Sequence, residues 1–371
     1  MNSEQNKQTA AEQRKMRKQT AGMIMREREP LNVEFPFSTL DEFFTANESF
    51  YVRNHFETPE LQEKTWKLKI EGAIENSFEI GYEELLKMPA QTLAATVECA
   101  GNSRVFLAPK ENGVQWELGA VGNAEWTGVP LKALLEKAGV KSEAVEVVIV
   151  GADKGEIKDP PKSPGEINFA RSLPLEKALT DNILLAYEMN GEKLSNEHGF
   201  PVRLIVPGWY GVAWVKWVER VVVADESFTG YFQTADYSYW EKHDGLPIQM
   251  KPVTEMQIKS EIARPAPHEV VGVNTIYKIK GAAWSGDAKV SKVEISTDGG
   301  EKWIEAELSG EAKENVWQMW QHDWKTPAKA GKHTLLARAT DERGRVQPLK
   351  HAKERGGYLV NHALPVEIEV K

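Results

Sequence analysis

SKVEISTDGGEKWIEAEL, residues 291–308, reads as a β-hairpin. Val293 and Ile295 alternate with polar neighbours, Asp298-Gly299-Gly300 supplies the turn, and Ile304, Ala306 and Leu308 alternate again. HTLLARATDERGR (333–345) and PVEIEV (365–370) continue the period-two pattern, and helical signals vanish beyond about residue 250. Short strands at this spacing define an immunoglobulin-like β-sandwich over 251–371. The boundary in front of it falls within DGLPIQMKP (244–252). Trp284, Trp303, Trp317, Trp320 and Trp324 are assigned to the core of this sandwich or to a contact between subunits. His243, His268, His322, His333, His351 and His362 are given no role.

Ahead of the boundary, over 31–250, the signals are mixed. TWKLKIEG (65–72) alternates as a strand, and GYEELLKMP (81–89) is a short helix stopped by Pro89. TGVPLKALLEKAGV (127–140) is a helix with Pro130 near its first turn, Leu131, Leu134 and Leu135 on one face, and Gly139 at its end. VEVVIVGA (145–152) is a buried strand, KDPPKSPGE (158–166) a loop, and a helix follows near 174–180. FPVRLIVPGWYG and VKWVERVVVAD add two more strands. No regular strand–helix–strand repeat occurs, so the class is α+β: a mixed domain followed by a β-sandwich.

A chain of 371 residues, 41% hydrophobic and 27% charged, is expected to hold two globular domains. Its longest apolar runs, such as VVIV (147–150), are too short to span a bilayer, so no membrane partner is expected. A net charge of −9 argues against a nucleic-acid surface and leaves any anionic substrate to local arginines. Residues 1–30 are polar and charged, without the apolar core of a secretory signal, and read as a solvated arm or a helix lying on the body of the protein. The expected location is cytoplasmic as written, or periplasmic if a signal has been removed.

Chemistry is narrowed by elimination. There is no second cysteine, no HExxH, no haem-attachment Cys-x-x-Cys-His, no GxGxxG and no GxSxG. What remains is Cys99, the one cysteine of the chain, in TVECAGNSR (96–104), together with two segments rich in basic residues. FYVRNHFETP (50–59) offers Arg53, Asn54 and His55, and HGFPVRLIVPGWYGVAWVKW (198–217) offers His198, Arg203 and Lys216. Guanidinium forks match phosphate oxygens, and a soft thiolate suits a transition metal. Together they suggest an organic metal cofactor with a phosphate tail. Each residue also has a plainer reading: free cysteines pack in cores, arginines pair at surfaces, and histidines and aromatics fill interiors.

FYVRNH, ECAGNSR, GVQWELGAVGNAEWTGVPLKALLEKAGV, AYEMNGEKLSNEHGFPVRLIVPGWYGVAWVKWVERVVV and the Asp-Tyr at 236–237 resemble the sulfite oxidase family of molybdenum enzymes. GAAWSGDAKVSKVEISTDGGEKW and ARATDERGRVQP resemble that family's dimerisation domain. The resemblance covers nearly everything after residue 31, with the motifs in family order. It implies that Cys99 ligates molybdenum beside the dithiolene of a molybdopterin. It implies that Arg53, Asn54, His55, Asp153, His198, Arg203, Trp214, Val215 and Lys216 hold the pterin and its phosphate. Arg53, Arg104, Trp116 and Tyr237 would line the oxyanion pocket, with Arg355 of the second domain joining them.

The implied activity is oxidation of sulfite to sulfate by a homodimer, with electrons passed to an external acceptor, a c-type cytochrome or oxygen. No haem is expected in this chain. Animal and plant members carry two arginines after CAGN, whereas the first here is Ser103, and AGNSRVFLAPKENGVQW resembles more a bacterial branch that includes periplasmic sulfite dehydrogenases and the molybdenum subunit of a sulfane dehydrogenase. Oxidation of another sulfur compound, reduction of nitrate or a sulfoxide, and a non-catalytic cofactor-binding protein are the alternatives.

Overall fold

The computed structural model describes residues 22–241 and 247–371. The arm expected over 1–30 therefore lies outside the described residues as far as residue 21, as do His243 and the start of the expected boundary. The described part of the arm lies on the body of the protein, as a strand and not a helix. Ile24–Glu27 forms an edge strand on Asn32–Glu34, which pairs in turn with Val52–Arg53. Arg26 holds the buried Glu34 and reaches Glu117 at 2.9 Å, so this charged stretch is a docked one.

Two five-stranded sheets build the first domain. One runs Phe78–Gly81, Lys67–Gly72, Val218–Ala224, Glu146–Gly155, Ile167–Pro174 in spatial order, with one parallel contact, between Lys67–Gly72 and Val218–Ala224. Val147, Ile149, Val221 and Val223, all at most 1% exposed, form its packed face. The other sheet runs Glu192–Lys193, Leu184–Met189, Val121–Pro130, Gln91–Glu98, with Arg203–Ile205 also on Leu184–Met189. The helix Leu131–Ala138 starts directly after Pro130, where a missing N–H costs nothing. It stops at Gly139, whose φ of 70° is the left-handed conformation that glycine adopts without strain. Leu131, Leu134 and Leu135 are fully buried. Among the described residues no helix is long and apolar enough to cross a membrane.

The second domain is a sandwich of a four-stranded and a five-stranded sheet. Its hairpin departs from the sequence pattern at Ala306. Ile304–Glu305 pairs with Val290–Ser296, but Glu307–Ser309 crosses to Gln318–Lys325 in the opposite sheet. Ala306 is the corner: its N–H still donates to the Val293 carbonyl at 2.8 Å and its methyl is buried. Ile304, in alternation with Ala306 and Leu308, is 52% exposed because the strand leaves the sheet at that point.

The tryptophans also divide. Trp320 and Trp324 pack in the sandwich core, and Trp303 lies half-buried under the Arg338 guanidinium at 4.1 Å. Trp284 and Trp317 instead join the core of the first domain. Trp317 donates from Nε1 to the Phe43 carbonyl at 2.8 Å, and Trp284 donates to Glu98 Oε2 at 2.9 Å. At the same junction Gly208 and Gly286 meet backbone to backbone, where a Cβ on either would strike the other's carbonyl oxygen.

A buried charge cluster locks this junction. Lys259, wholly inaccessible on the strand Lys259–Arg264, donates from Nζ to Glu98 Oε1 at 2.9 Å and to Ser103 Oγ at 2.9 Å, and lies 3.3 Å from Glu261. Burial lowers a lysine's pKa, but here the two carboxylates more than offset it and raise it, so the ammonium stays charged. Burial pushes the Glu261 carboxyl up, against the pull of Lys259. Removing one partner of a buried pair strands the other without water. Lys259→Met should therefore cost about 3–5 kcal/mol by chemical denaturation. Adding Glu98→Gln to that variant should recover part of the loss; a single-variant cost below about 1 kcal/mol contradicts the role of this cluster.

Candidate active site

Cys99 stands one residue beyond the strand Gln91–Glu98, at the start of an excursion that returns to the sheet at Val121. The excursion is pinned at its neck. Cys99 N–H donates to the Ala120 carbonyl at 2.8 Å, and the Cys99 carbonyl accepts from Asn102 N–H at 2.9 Å. The Asn102 side chain accepts from Ala120 N–H at 3.1 Å and donates to Glu98 Oε1 at 3.1 Å. Asparagine at this position thus closes the turn with both ends of its amide. Ser103 follows at φ 72°, a left-handed conformation held by its N–H on the Glu117 carbonyl and its hydroxyl on Glu261.

The thiol faces a cavity lined also by Arg53, Asn54, His55, Asp153, His198, Arg203, Trp214, Lys216 and Tyr237. Sequence motifs far apart in the chain meet here because Val52–Arg53, Glu146–Gly155, Arg203–Ile205 and the turn ahead of Val218–Ala224 all end at this opening. Tyr51, Phe169, Glu197 and Trp217 line it as well. Tyr51 and Trp217 lie within the quoted motifs, while Phe169 carried no signal beyond an apolar strand position.

Four of the residues named from sequence stand outside the lining. Val215 is fully buried, and its carbonyl accepts from Leu204 N–H at 2.8 Å. Trp116 is fully buried with its indole N–H unpartnered. Arg104 is 5% exposed, donating from Nε to the Gly357 carbonyl at 2.9 Å and from Nη1 to the Val114 carbonyl at 3.0 Å. Gly101 is needed beside it, since a Cβ there would collide with Nη2. Arg355 points elsewhere, donating to Asn361 Oδ1 at 3.1 Å and Gln257 Oε1 at 3.3 Å.

Electrostatically the cavity is a buried cationic cradle. Lys216 donates to Asn54 Oδ1 and to the Glu197 carbonyl at 2.9 Å, and burial beside Arg203 drives its ammonium well below the ordinary lysine range. Arg203 sits 4.9 Å over the Trp126 ring and donates to the His198 carbonyl at 3.1 Å; burial lowers it to about 10. Burial also holds His198 neutral, lowered to about 3, with Nε2 at 3.1 Å from the Asn47 carbonyl. His55 is neutral for the same reason, with Arg53 and Lys216 adding to the effect, and its Nε2 lies 2.7 Å from the Tyr237 hydroxyl. Burial raises the Cys99 thiol, while Arg53 and Arg104 pull the opposite way. Two polar atoms are left unpartnered in the lining, Asp153 Oδ1 and Arg203 Nε.

These features fit a specific kind of guest. Among the described residues no group of three or more His, Cys, Asp or Glu side chains could cage a metal, so the protein offers one thiolate and a metal's remaining ligands must arrive with it. Arg203 Nε and the Lys216 ammonium match an anionic tail, and Asp153 Oδ1 matches an N–H donor on a heterocycle. A molybdopterin carries all of these: its own sulfur ligands, a phosphate and a pterin ring.

Comparisons with known proteins agree. The "Oxidoreductase molybdopterin binding domain" family matches residues 55–232, and the "Mo-co oxidoreductase dimerisation domain" family matches residues 250–371. Mouse (Mus musculus) mitochondrial sulfite oxidase is 35% identical over 337 residues, covering 86% of this chain and 60% of that protein. Chicken (Gallus gallus) sulfite oxidase is 32% identical over 346 residues, covering 88% of this chain and 73% of that protein. The crystal structure of the sulfane dehydrogenase SoxCD from Paracoccus pantotrophus superposes with a TM-score of 0.79 at 31% identity, covering 91% of this chain and 84% of that one. The chain belongs to the sulfite oxidase family of molybdopterin oxidoreductases and carries the family's cofactor-binding and dimerisation domains. It spans 60% of the length of the mouse relative.

The Asp153 carboxyl gives the cradle a pH signature. Burial, against the opposing pull of Lys216, pushes it up to about 7 in the cofactor-free protein. A raised acid binds its proton more tightly folded than unfolded, so stability falls as pH rises from about 4 to about 7 and is level above that. Asp153→Asn should therefore stabilise the cofactor-free protein at pH 8 and leave it unchanged at pH 4, read as thermal midpoints. Equal midpoint shifts at both values would contradict this assignment.

Proposed function

We propose that this chain oxidises sulfite to sulfate at a molybdenum ligated by Cys99, working as a homodimer and passing two electrons to an external acceptor, a c-type cytochrome or oxygen. The observation that supports the reading most is the lone thiol of the chain opening onto a cavity that also gathers Arg53, Arg203, Lys216 and Tyr237. Asp153, Asn54, His55, His198, Arg203, Trp214 and Lys216 hold the cofactor, with the backbone at Val215 behind them. A molybdenum centre held there would supply two-electron oxidation with oxygen-atom transfer, the chemistry that converts sulfite to sulfate.

The remaining work belongs to the chain's own groups. Arg53 and Arg104 hold the anion near Cys99. Arg104 is fixed by two carbonyls before substrate arrives, so little reorganisation is needed during the reaction. Tyr237 presents its hydroxyl beside neutral His55, a pair able to hold or pass one proton. Trp116 buttresses the Cys99 excursion, accepting from Val105 N–H at 3.2 Å. Arg355, turned toward Asn361 and Gln257, is left out of substrate contact.

A second reading, oxidation of sulfane sulfur, is favoured by the likeness to SoxCD. Steady-state turnover with sulfite, then with a sulfane compound, each against ferricyanide and against cytochrome c, separates the two. Sulfite should be the faster substrate, and rates below one-tenth of the sulfane rate would reverse the assignment. Light scattering should report two 41.7 kDa chains per particle.

Cys99→Ser should abolish turnover in a protein that stays folded, because a serine oxygen is a harder ligand than a thiolate. Activity near that of the parent would remove Cys99 from the metal. Arg104→Gln should lower kcat/KM for sulfite on the order of 10–100-fold, the loss of a charged hydrogen bond of roughly 1.5–3 kcal/mol. A KM held within about twofold would remove Arg104 from substrate binding.

A further inference from the structure

We propose that Tyr358, carried by the second domain, is a positioning residue for the oxidation site: it sets where Tyr237 and Arg104 stand relative to Cys99. The segment around it is stitched to the Cys99 turn, with Leu359 N–H donating to the Ala100 carbonyl at 2.9 Å and the Gly357 carbonyl accepting from Arg104 Nε at 2.9 Å. From this segment the Tyr358 ring reaches both residues. It stacks on Tyr237 with centroids 4.9 Å apart and planes 29° from parallel, and the Arg104 guanidinium lies 5.1 Å from its centroid.

Its hydroxyl acts separately from its ring. It donates to Asp236 Oδ1, the same oxygen that accepts from Tyr237 N–H at 2.9 Å. Tyr237 has φ 52°, a left-handed conformation that a bulky residue adopts only when its surroundings impose it. Asp236 imposes it, and Tyr358 orients Asp236. The Tyr237 hydroxyl is thereby aimed at His55 inside the cavity. Arg355, meanwhile, is spent on Asn361 and Gln257. The second domain thus addresses the site through a neutral ring.

The two contacts can be broken one at a time. Tyr358→Phe keeps the ring and loses the hydroxyl; Tyr358→Leu loses both. The inference rests on the reading that the substrate anion binds beside Arg104 and Tyr237. With molybdenum content and dimer mass unchanged, Tyr358→Phe should lower kcat about 3–10-fold with KM for sulfite within about twofold. Tyr358→Leu should in addition raise KM about 5–20-fold, and weaken sulfate binding to the resting holoenzyme by a similar factor in calorimetry. Tyr358→Trp, which keeps an aromatic face, should restore KM but not kcat. A residue that merely packs would lower the thermal midpoint and leave kcat, KM and sulfate affinity within about twofold. That result overturns the inference. If Arg104→Gln weakens sulfite binding while the Tyr358 variants behave as the parent, the inference alone fails. If Arg104→Gln also leaves sulfite KM unchanged, the anion-site reading falls and takes the inference with it.

Discussion

The ammonium of Lys259, sealed beneath the Cys99 turn, is the constraint on which the rest of this structure depends. A cation with no access to water is tolerable only where carboxylates and hydroxyls surround it, and its partners come from both domains. Glu98, one of those partners, also accepts from Trp284 of the sandwich and from Asn102 of the turn. Because Glu98 and Cys99 are neighbours in the chain, fixing one carboxylate fixes the thiol. The sandwich, which matches the family's dimerisation domain, is therefore also part of the active-site scaffold. Arg104 shows the same dependence, since one of its two carbonyl partners, Gly357, belongs to the sandwich.

Local chemistry was legible in the sequence wherever a residue type has few uses. Pro130 and Gly139 bracket the helix Leu131–Ala138 because one lacks an N–H and the other tolerates a positive φ. The strands over 65–72 and 145–152 announced themselves by period and by continuous apolar character. Of the site, the motif residues around Cys99, Arg53 and Lys216 could be named, and the structure gathers most of them at one cavity. What stayed hidden was set by tertiary contact. The pattern at 304–308 alternates without interruption, so nothing local shows that the strand changes sheets at Ala306. Lys259 looks like any solvated lysine until Glu98, distant in sequence, joins Glu261 of its own strand around it. Arg355 and Tyr358 sit three residues apart, and only the fold decides which of them reaches the Cys99 side.

Two kinds of rigidity meet at the site. The Cys99 excursion is held by saturated hydrogen bonds, with Asn102 using both ends of its amide and Ser103 kept in a left-handed conformation by partners on its N–H and its hydroxyl. The cradle opposite is only partly satisfied: Lys216 and Arg203 donate to Asn54, Glu197 and His198, but Arg203 Nε and Asp153 Oδ1 are left without partners. One side is complete in itself and positions the thiol. The other is complete only with a guest, which is how a protein can bind an anionic heterocycle without rearranging its walls.

That incompleteness makes the cofactor a building material. Burial drives Arg203 and Lys216 toward their neutral forms and drives Asp153 the same way, the mutual attraction of Lys216 and Asp153 offsetting only part of it. A ligand that binds only the folded chain adds its binding free energy to folding. The melting temperature of a preparation is thus a gauge of how many of its chains are charged with pterin. In a cell short of molybdenum the same arithmetic acts as triage: empty chains open more often, proteases meet them first, and the standing amount of the protein follows the supply of its metal.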